Sequence, residues 1–95
     1  MIPKKIHYCW FGGNPKPESF YICLESWKKN LPDYEIIEWN ESNFDITCCE
    51  YVRLAAEKKK WAFVSDYARA LALFQQGGIY MDIDVEVKFS LDEFL

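Results

Sequence analysis

Residues 62–87, AFVSDYARALALFQQGGIYMDIDVEV, carry a helix pattern, a double-glycine stop and a strand pattern in direct succession. Apolar residues at helical spacing predict a helix over residues 62–76, and Gly77-Gly78 is typical of the end of a helix. The apolar run that follows predicts a strand over residues 79–87. A helix that leads directly into a strand is one half of the alternation that defines an α/β protein.

The preceding residues show the same alternation. Residues 6–11 are short, apolar and aromatic, and they predict a buried strand that ends at Gly12-Gly13. A second strand is predicted over residues 34–39, YEIIEW. Between these strands the chain contains a helix pattern closed by Pro32, whose apolar residues are Phe20, Leu24, Trp27 and Leu31.

A capping box predicts one more helix. Thr47 followed by Glu50 has the spacing of such a box, and the helix is expected to run to about Lys59. The resulting order, β-α-β-α-α-β, predicts a parallel, three-layer α/β unit of the nucleotide-binding type, without a second domain in residues 1–95. A further capping pattern over residues 90–93 starts a helix just before the sequence stops, so we expect the front part of a longer protein.

Composition excludes several classes of protein. Of the 95 residues, 51% are hydrophobic and 18% aromatic, which excludes a disordered chain. A net charge of -4 gives no electrostatic reason to expect nucleic acid as a partner. Residues 1–5 lack the apolar stretch of a secretory signal, and no apolar run approaches about 18 residues, so we expect neither a signal peptide nor a membrane span. We expect a cytoplasmic protein with reduced thiols, because no CxxC spacing occurs among its cysteines, which are Cys9, Cys23, Cys48 and Cys49.

Asp82 and Asp84 stand one residue apart at the end of the last predicted strand. In an extended segment both side chains point to one face while Ile83 turns into the core. Two carboxylates this close repel each other unless a cation sits beside them, and Mg²⁺ or Mn²⁺ is commonly held by such a pair together with substrate phosphates. The pattern predicts a metal–diphosphate site at the carboxyl edge of the sheet. The alternative is a pair of solvated acids at a turn.

Asp66 and Arg69 are three residues apart on the predicted helix, beside Ser65 and Ala72. Small residues around one acid and one base suggest a surface that admits a ligand, with the acid accepting from hydroxyls and the guanidinium donating to phosphate or sugar oxygens. The alternative is a surface ion pair. The opposite, core-facing side of this helix is predicted to consist of apolar residues, namely Phe63, Val64, Tyr67, Ala70, Leu71 and Phe74.

The segments IPKKIHYCWFGG, ESWKKNLPDYEIIEWN and FVSDYARALALFQQGGIYMDIDVEV together resemble glycosyltransferases with a sugar-binding DXD region. These include bacterial capsular-polysaccharide transferases, fungal Golgi mannosyltransferases and, more distantly, the glucosylating bacterial toxins. The resemblance extends over nearly the whole chain, and it is specific because a strand-end tryptophan, an SDxxR helix, a GGxY turn and a DxD occur in the right order. It implies the N-terminal part of a GT-A, Rossmann-like fold.

The resemblance also implies a role for each matching position. Trp10 matches the tryptophan that stacks on the base of the donor, and Tyr80 matches an aromatic residue that lines the nucleotide pocket. Asp66 and Arg69 match the pair that holds the sugar of the donor. Two further positions match the metal motif: Asp82 as the first acid, which contacts ribose or sugar, and Asp84 as the metal ligand. His7 resembles a structural position.

The expected function is therefore metal-dependent, retaining transfer of a hexose from a nucleotide sugar, with a UDP-hexose favoured, to a saccharide acceptor. The resemblance implies Mn²⁺ or Mg²⁺ as cofactor and a role in capsular or other surface polysaccharide synthesis. It also leaves open peripheral association of the full-length protein with the inner face of the membrane. Family members are longer, and their C-terminal half supplies acceptor contacts, so we expect the 95 residues alone to bind donor weakly and to transfer inefficiently.

Two alternatives from other classes remain open. One is a non-catalytic module that binds a nucleotide without turnover. The other is a phosphatase of the haloacid-dehalogenase type, in which the first aspartate of a DxD is the nucleophile. Its motif lies near the N-terminus and is followed by Gly or Thr, whereas Val85 and Glu86 follow Asp84 here.

Overall fold

A computed structural model describes residues 2–88 and contains the six elements in the predicted order. The three strands form one parallel sheet in the order β2-β1-β3, flanked by helices, which confirms the α/β prediction. No helix among residues 2–88 has the length and apolar character needed to cross a bilayer. The elements are β1 (Lys5–Cys9), α1 (Glu18–Asn30), β2 (Glu35–Trp39), α2 (Glu50–Glu57), α3 (Trp61–Gln76) and β3 (Ile79–Tyr80).

The central strand β1 has one hydrophobic cluster on each of its faces. Ile6 and Tyr8 pack with the buried side of α1, and Cys9 packs with residues of α2 and α3. Successive side chains of a strand point to opposite faces, so these two clusters make the predicted three layers. On the same face as Cys9, His7 is fully buried: its Nδ1 accepts a hydrogen bond from Trp39 Nε1 at 3.0 Å, and its Nε2 donates to the Gly77 carbonyl at 2.8 Å. His7 therefore ties the sheet to the end of α3.

The double glycine ends α3 as predicted. Gly77 is the C-cap, and both Gly77 and Gly78 have positive φ, +70° and +99°. A Cβ on Gly78 would lie 2.6 Å from the Lys5 carbonyl oxygen. The chain can therefore turn against β1 only because a residue without a side chain stands there.

The predicted capping box is wrong. The N-cap of α2 is Cys49 and Glu50 is already the first helical residue. Thr47 instead bonds within its own turn, since its backbone N–H and hydroxyl donate to Asp45 Oδ1 at 2.8 Å and 2.6 Å. Side chains of this type compete locally for turns as readily as they cap helices. The other predicted box, over residues 90–93, lies outside the described residues.

The predicted strand over residues 79–87 is much shorter in the structure. β3 contains Ile79 and Tyr80 alone, and its ladder ends where the Met81 N–H donates to the His7 carbonyl at 2.9 Å. The Val85 N–H then donates to the Asp82 carbonyl at 3.1 Å, so residues 82–85 form a turn. Smaller differences occur at other ends: β1 ends at Cys9 rather than residue 11, and α2 ends at Glu57 rather than Lys59.

The predicted core face of α3 is also partly wrong. Its buried residues are Val64, Ala68 and Ala72, at i, i+4 and i+8. Phe63 and Phe74 are 47% and 88% exposed. Small side chains in the buried stripe let the helix backbone lie close to the sheet, and the larger phenyl rings consequently point away from it.

Candidate functional site

A cleft of ≈ 500 Å³ opens at the carboxyl ends of β1 and β3, beside the first half of α3. This is the edge at which open α/β sheets bind ligands. All the residues that the sequence singles out as donor or metal contacts line this one cleft, namely Trp10, Asp66, Arg69, Tyr80, Asp82 and Asp84.

Trp10 directly follows β1 and is held at both its backbone and its side chain. Its N–H donates to the Trp39 carbonyl at 2.9 Å, which extends the parallel pairing of β1 and β2 by one bond. Its indole Nε1 donates to the Asn14 carbonyl at 2.6 Å. The ring is half-buried and lines the cleft. It is therefore a fixed aromatic surface.

Asp66 and Arg69 lie on one side of α3, with Arg69 Nη2 3.8 Å from Asp66 Oδ1. Their side chains are 62% and 48% exposed, and a pair this open contributes little to stability. The Arg69 guanidinium also lies over the Tyr80 ring, 5.6 Å from its centroid. This cation–π contact directs the guanidinium toward the end of β3, and the ion pair leaves donors free for a ligand.

Cys9 and Tyr80 end neighbouring strands and form the floor of the cleft. Burial raises the pKa of the Cys9 thiol to about 11. Burial, and then the nearby Cys9, raise the pKa of Tyr80 as well. Both groups are therefore neutral at neutral pH, and neither provides an anionic nucleophile.

Asp82 and Asp84 lie in the turn over residues 82–85, and both carboxyl side chains are exposed. The predicted extended geometry is thus wrong, yet both acids line the cleft, and Ile83 packs against the α1 cluster as expected. A turn with an apolar central residue anchored in the core leaves its flanking side chains toward solvent. Both acids therefore line the same cleft, although they lie in a turn and not on a strand.

Three side chains of α1 hold the segment that follows this turn through their hydrogen-bonding groups. Trp27 Nε1 donates to the Val85 carbonyl at 2.7 Å, and Asn30 Nδ2 donates to the Val87 carbonyl at 2.8 Å. The Val87 N–H donates to Ser26 Oγ at 2.9 Å. These bonds replace the ladder that a longer β3 would have made. We call Ser26, Trp27 and Asn30 the α1 clasp.

Sequence reasoning missed the α1 clasp and also missed Trp61 and Ala62, which line the cleft. A signal for the clasp was present, because polar Ser26 and Asn30 flank the apolar Trp27 on α1. For Trp61 the available signal was its position one turn before Ser65 and two turns before Arg69 on α3.

The donor set of the cleft suits a hard divalent cation only in part. Three carboxylates face one guanidinium, so negative charge is in excess. Within residues 2–88, however, no group of three or more His, Cys, Asp or Glu side chains comes together as a metal cluster. Asp82 and Asp84 could therefore hold Mg²⁺ or Mn²⁺ together with ligand oxygens, which is the usual arrangement at phosphate-dependent sites.

The comparisons with known proteins agree with this architecture. A family model described as "Glycosyltransferase sugar-binding region containing DXD motif" matches residues 17–95. The matched region contains all the cleft acids and Arg69, and it begins after Trp10.

Two of three similar proteins are named as glycosyltransferases. The chain is 32% identical over 98 residues to an inositol phosphoceramide mannosyltransferase of Schizosaccharomyces pombe, which covers 99% of this chain and 27% of that protein. It is 32% identical over 104 residues to an uncharacterised glycosyltransferase of Acanthamoeba polyphaga mimivirus, covering 100% of this chain and 40% of the relative. It is 27% identical over 112 residues to the subversion of eukaryotic traffic protein A of Legionella pneumophila, and this match covers 90% of this chain and 17% of that protein. The chain thus spans less than half the length of each.

Proposed function

The chain belongs to the family of glycosyltransferases with a DXD-containing sugar-binding region, and from that premise we propose that its cleft binds a nucleotide-sugar donor. In this proposal residues 1–95 are the donor-binding portion of a catalytic domain. One observation carries the proposal: a fixed indole, a guanidinium and three carboxylates line a single cleft at the carboxyl edge of the sheet.

The Asp82–Asp84 turn is proposed to hold Mn²⁺ or Mg²⁺, with Asp84 as metal ligand and Asp82 reaching the ribose or sugar. A bound metal would supply Lewis acidity to a departing diphosphate. Because two carboxylates are few ligands for such an ion, we expect the metal and the diphosphate to bind together rather than separately. The α1 clasp keeps the turn in place through Trp27 and Asn30.

Arg69 and Asp66 are proposed to contact the sugar half of the donor. The guanidinium, directed by Tyr80, offers planar donors to phosphate or sugar oxygens. The Asp66 carboxylate accepts from sugar hydroxyls, and its negative charge would stabilise an oxocarbenium-like sugar. Trp10 and Tyr80 would line the nucleotide pocket.

For the whole protein we propose retaining transfer of a hexose from a UDP-hexose to a saccharide, in the cytoplasm, during capsular or other surface polysaccharide synthesis. The bond from the anomeric carbon to the diphosphate breaks, and its electron pair leaves with the diphosphate. An acceptor oxygen forms the new bond to the anomeric carbon, and its proton passes to the departing diphosphate. Support for these finer points comes from the motif resemblance. Since one relative is named a mannosyltransferase, GDP-mannose is the alternative donor to test.

A second candidate is nucleotide binding without turnover by this chain alone. It is favoured by the short span of the chain, which covers 27%, 17% and 40% of its relatives. Analysis of reaction products separates the possibilities: transfer or donor hydrolysis indicates a transferase, and binding without turnover indicates a binding module. Phosphate release from a monoester would indicate a DxD phosphatase instead.

Titration of UDP-glucose, UDP-galactose and GDP-mannose, with and without Mn²⁺, tests the proposal on wild type and Asp84→Asn. We expect binding to need the metal and to fall about 10- to 100-fold in the variant, the loss associated with a charged interaction. Asp33→Asn is the control, because Asp33 is exposed and pairs with Lys4 outside the cleft. Equal affinity with and without Mn²⁺ in both proteins would overturn the metal–diphosphate site.

A further inference from the structure

The indole N–H groups of the four tryptophans differ in one respect. Trp10 donates to the Asn14 carbonyl, Trp27 to the Val85 carbonyl and Trp39 to His7 Nδ1. Trp61 Nε1 donates to no other group among residues 2–88, and since no buried side-chain nitrogen there lacks a partner, this N–H is open to solvent. Trp61 is half-buried and lines the cleft. An indole N–H is a donor only, so a ligand oxygen is its natural complement there.

The position of the Trp61 ring is fixed by a contact with Gly12. A Cβ on Gly12 would lie 2.7 Å from Trp61 Nε1, 3.0 Å from Cδ1 and 3.2 Å from Cε2, so the face of the pyrrole ring packs against the α-carbon of Gly12. Gly12 has φ +100°, and its N–H donates to Glu41 Oε2 at 2.7 Å, which helps hold the turn. Since Gly12 is two residues after Trp10, the contact between Gly12 and Trp61 places Trp61 on the Trp10 side of the cleft.

Trp61 also belongs to the same side of α3 as the proposed sugar contacts. Trp61, Ser65 and Arg69 are at i, i+4 and i+8, and all three line the cleft. At 1.5 Å per residue, about 12 Å of helix axis separates Trp61 from Arg69. The cleft therefore has a tryptophan end and a charged end, as an elongated ligand with an aromatic half and an anionic half requires.

We infer that Trp61 contacts the nucleoside half of the ligand, donating its indole N–H to an oxygen acceptor of the base or ribose across from Trp10. This inference rests on the proposed function. The nucleoside, rather than the diphosphate, is the occupant because the indole stands at the tryptophan end and carries no charge. Trp61 would then add a directional hydrogen bond to the less specific stacking surface of Trp10.

Binding of UDP and of inorganic pyrophosphate, each with Mn²⁺, tests this inference in wild type, Trp61→Phe and Trp61→Ala. Trp61→Phe keeps an aromatic ring and removes the N–H, so UDP affinity should fall about 3- to 10-fold. Trp61→Ala should weaken UDP further, and pyrophosphate affinity should stay at the wild-type value in both. Phe63→Leu is the matched control, since Phe63 is on the same helix but outside the cleft.

The outcomes distinguish failure of the Trp61 contact from failure of the proposed donor binding on which it rests. Failure of wild type to bind UDP would remove the proposed function and the contact with it. Wild-type binding that both Trp61 variants retain would overturn the Trp61 contact alone. An equal loss of UDP and pyrophosphate in Trp61→Phe would also overturn it, because a general structural disturbance affects both ligands. Comparison of UDP with 2′-deoxy-UDP then identifies a ribose acceptor if Trp61→Phe no longer distinguishes the two.

Discussion

The two faces of the sheet are packed by opposite means. Toward α1 the contacts are large and aromatic: Tyr8 lies 5.2 Å from Phe20 and 5.7 Å from Trp27, centroid to centroid. Toward α3 the buried residues are small, namely Val64, Ala68 and Ala72. The α1 face thus buries large apolar area, whereas the α3 face lets a helix backbone approach the sheet.

This difference separates anchoring from ligand contact. The α1 face holds the segment after the DxD turn, through Trp27 and its neighbours in the α1 clasp. The α3 face carries Asp66 and Arg69, with side chains that remain largely exposed at the cleft. A large residue in the α3 stripe would push these groups away from the turn, and a small residue at Trp27 would release the turn itself.

Trp27→Ala is expected to have the largest effect. Trp27 is fully buried, and truncation of such a residue costs about 3–5 kcal/mol, to which the lost bond to the Val85 carbonyl adds. Urea denaturation followed by circular dichroism measures the free energy of unfolding, with Trp27→Phe as a milder variant that removes the N–H. Ile22→Ala, at a 64% exposed position of α1, is the control. A loss at Trp27 no larger than this control would refute the difference between the faces.

Ala68→Leu should have an intermediate effect on the other face. Ala68 is 1% exposed on the side of α3 that faces the sheet, and overpacking of a tight site costs about 1–3 kcal/mol. Because α3 must move outward, affinity for UDP with Mn²⁺ should fall together with stability. Ala70→Leu makes the same chemical change at an exposed position of α3 and should alter the free energy of unfolding by less than about 0.5 kcal/mol. Indistinguishable results from the two variants would contradict close packing of this face.

Glu38 is expected to give the smallest effect, and one that depends on pH. Partial burial opposes its ionisation, but hydrogen bonds from Lys16, Asn40 and Tyr8 outweigh burial and lower the pKa of its carboxyl. A lowered pKa in the folded state adds stability above the ordinary value of about 4.3, and this stability is lost as pH falls through the folded value.

The measurement for Glu38 is thermal unfolding of wild type and Glu38→Gln between pH 7 and about pH 3. Wild type should be more stable at pH 7 by less than about 1 kcal/mol, as is usual for partly exposed ion pairs, and the difference should shrink in acid. A difference that stays constant or grows as pH falls would show that the Tyr8–Glu38 edge of the α1 face does not contribute through charge.

Much of the site could be predicted from local sequence, and the parts that could not have a common cause. The acids and Arg69 are recognisable by type and spacing along the chain, whereas Trp10 is identified through the resemblance to the family. The turn at residues 82–85 could not be predicted, because Trp27 and Val85, which hold it in place, are 58 residues apart in sequence. Likewise, the helix pattern of α3 could not show that alanines rather than phenyl rings face the sheet.

The order of the elements, the glycine stop after α3 and the chemical character of the cleft were determined by the sequence itself. These features depend on periodicity, on backbone conformation at glycine and on side-chain charge. Each acts over a few residues, so each can be predicted without knowledge of the fold. The tertiary structure alone decided where β3 ends, which side of α3 is buried and that Trp61 stands beside the cleft. Each of these depends on partners distant in the chain, which compete with local preference through packing and hydrogen bonds once the sheet has formed.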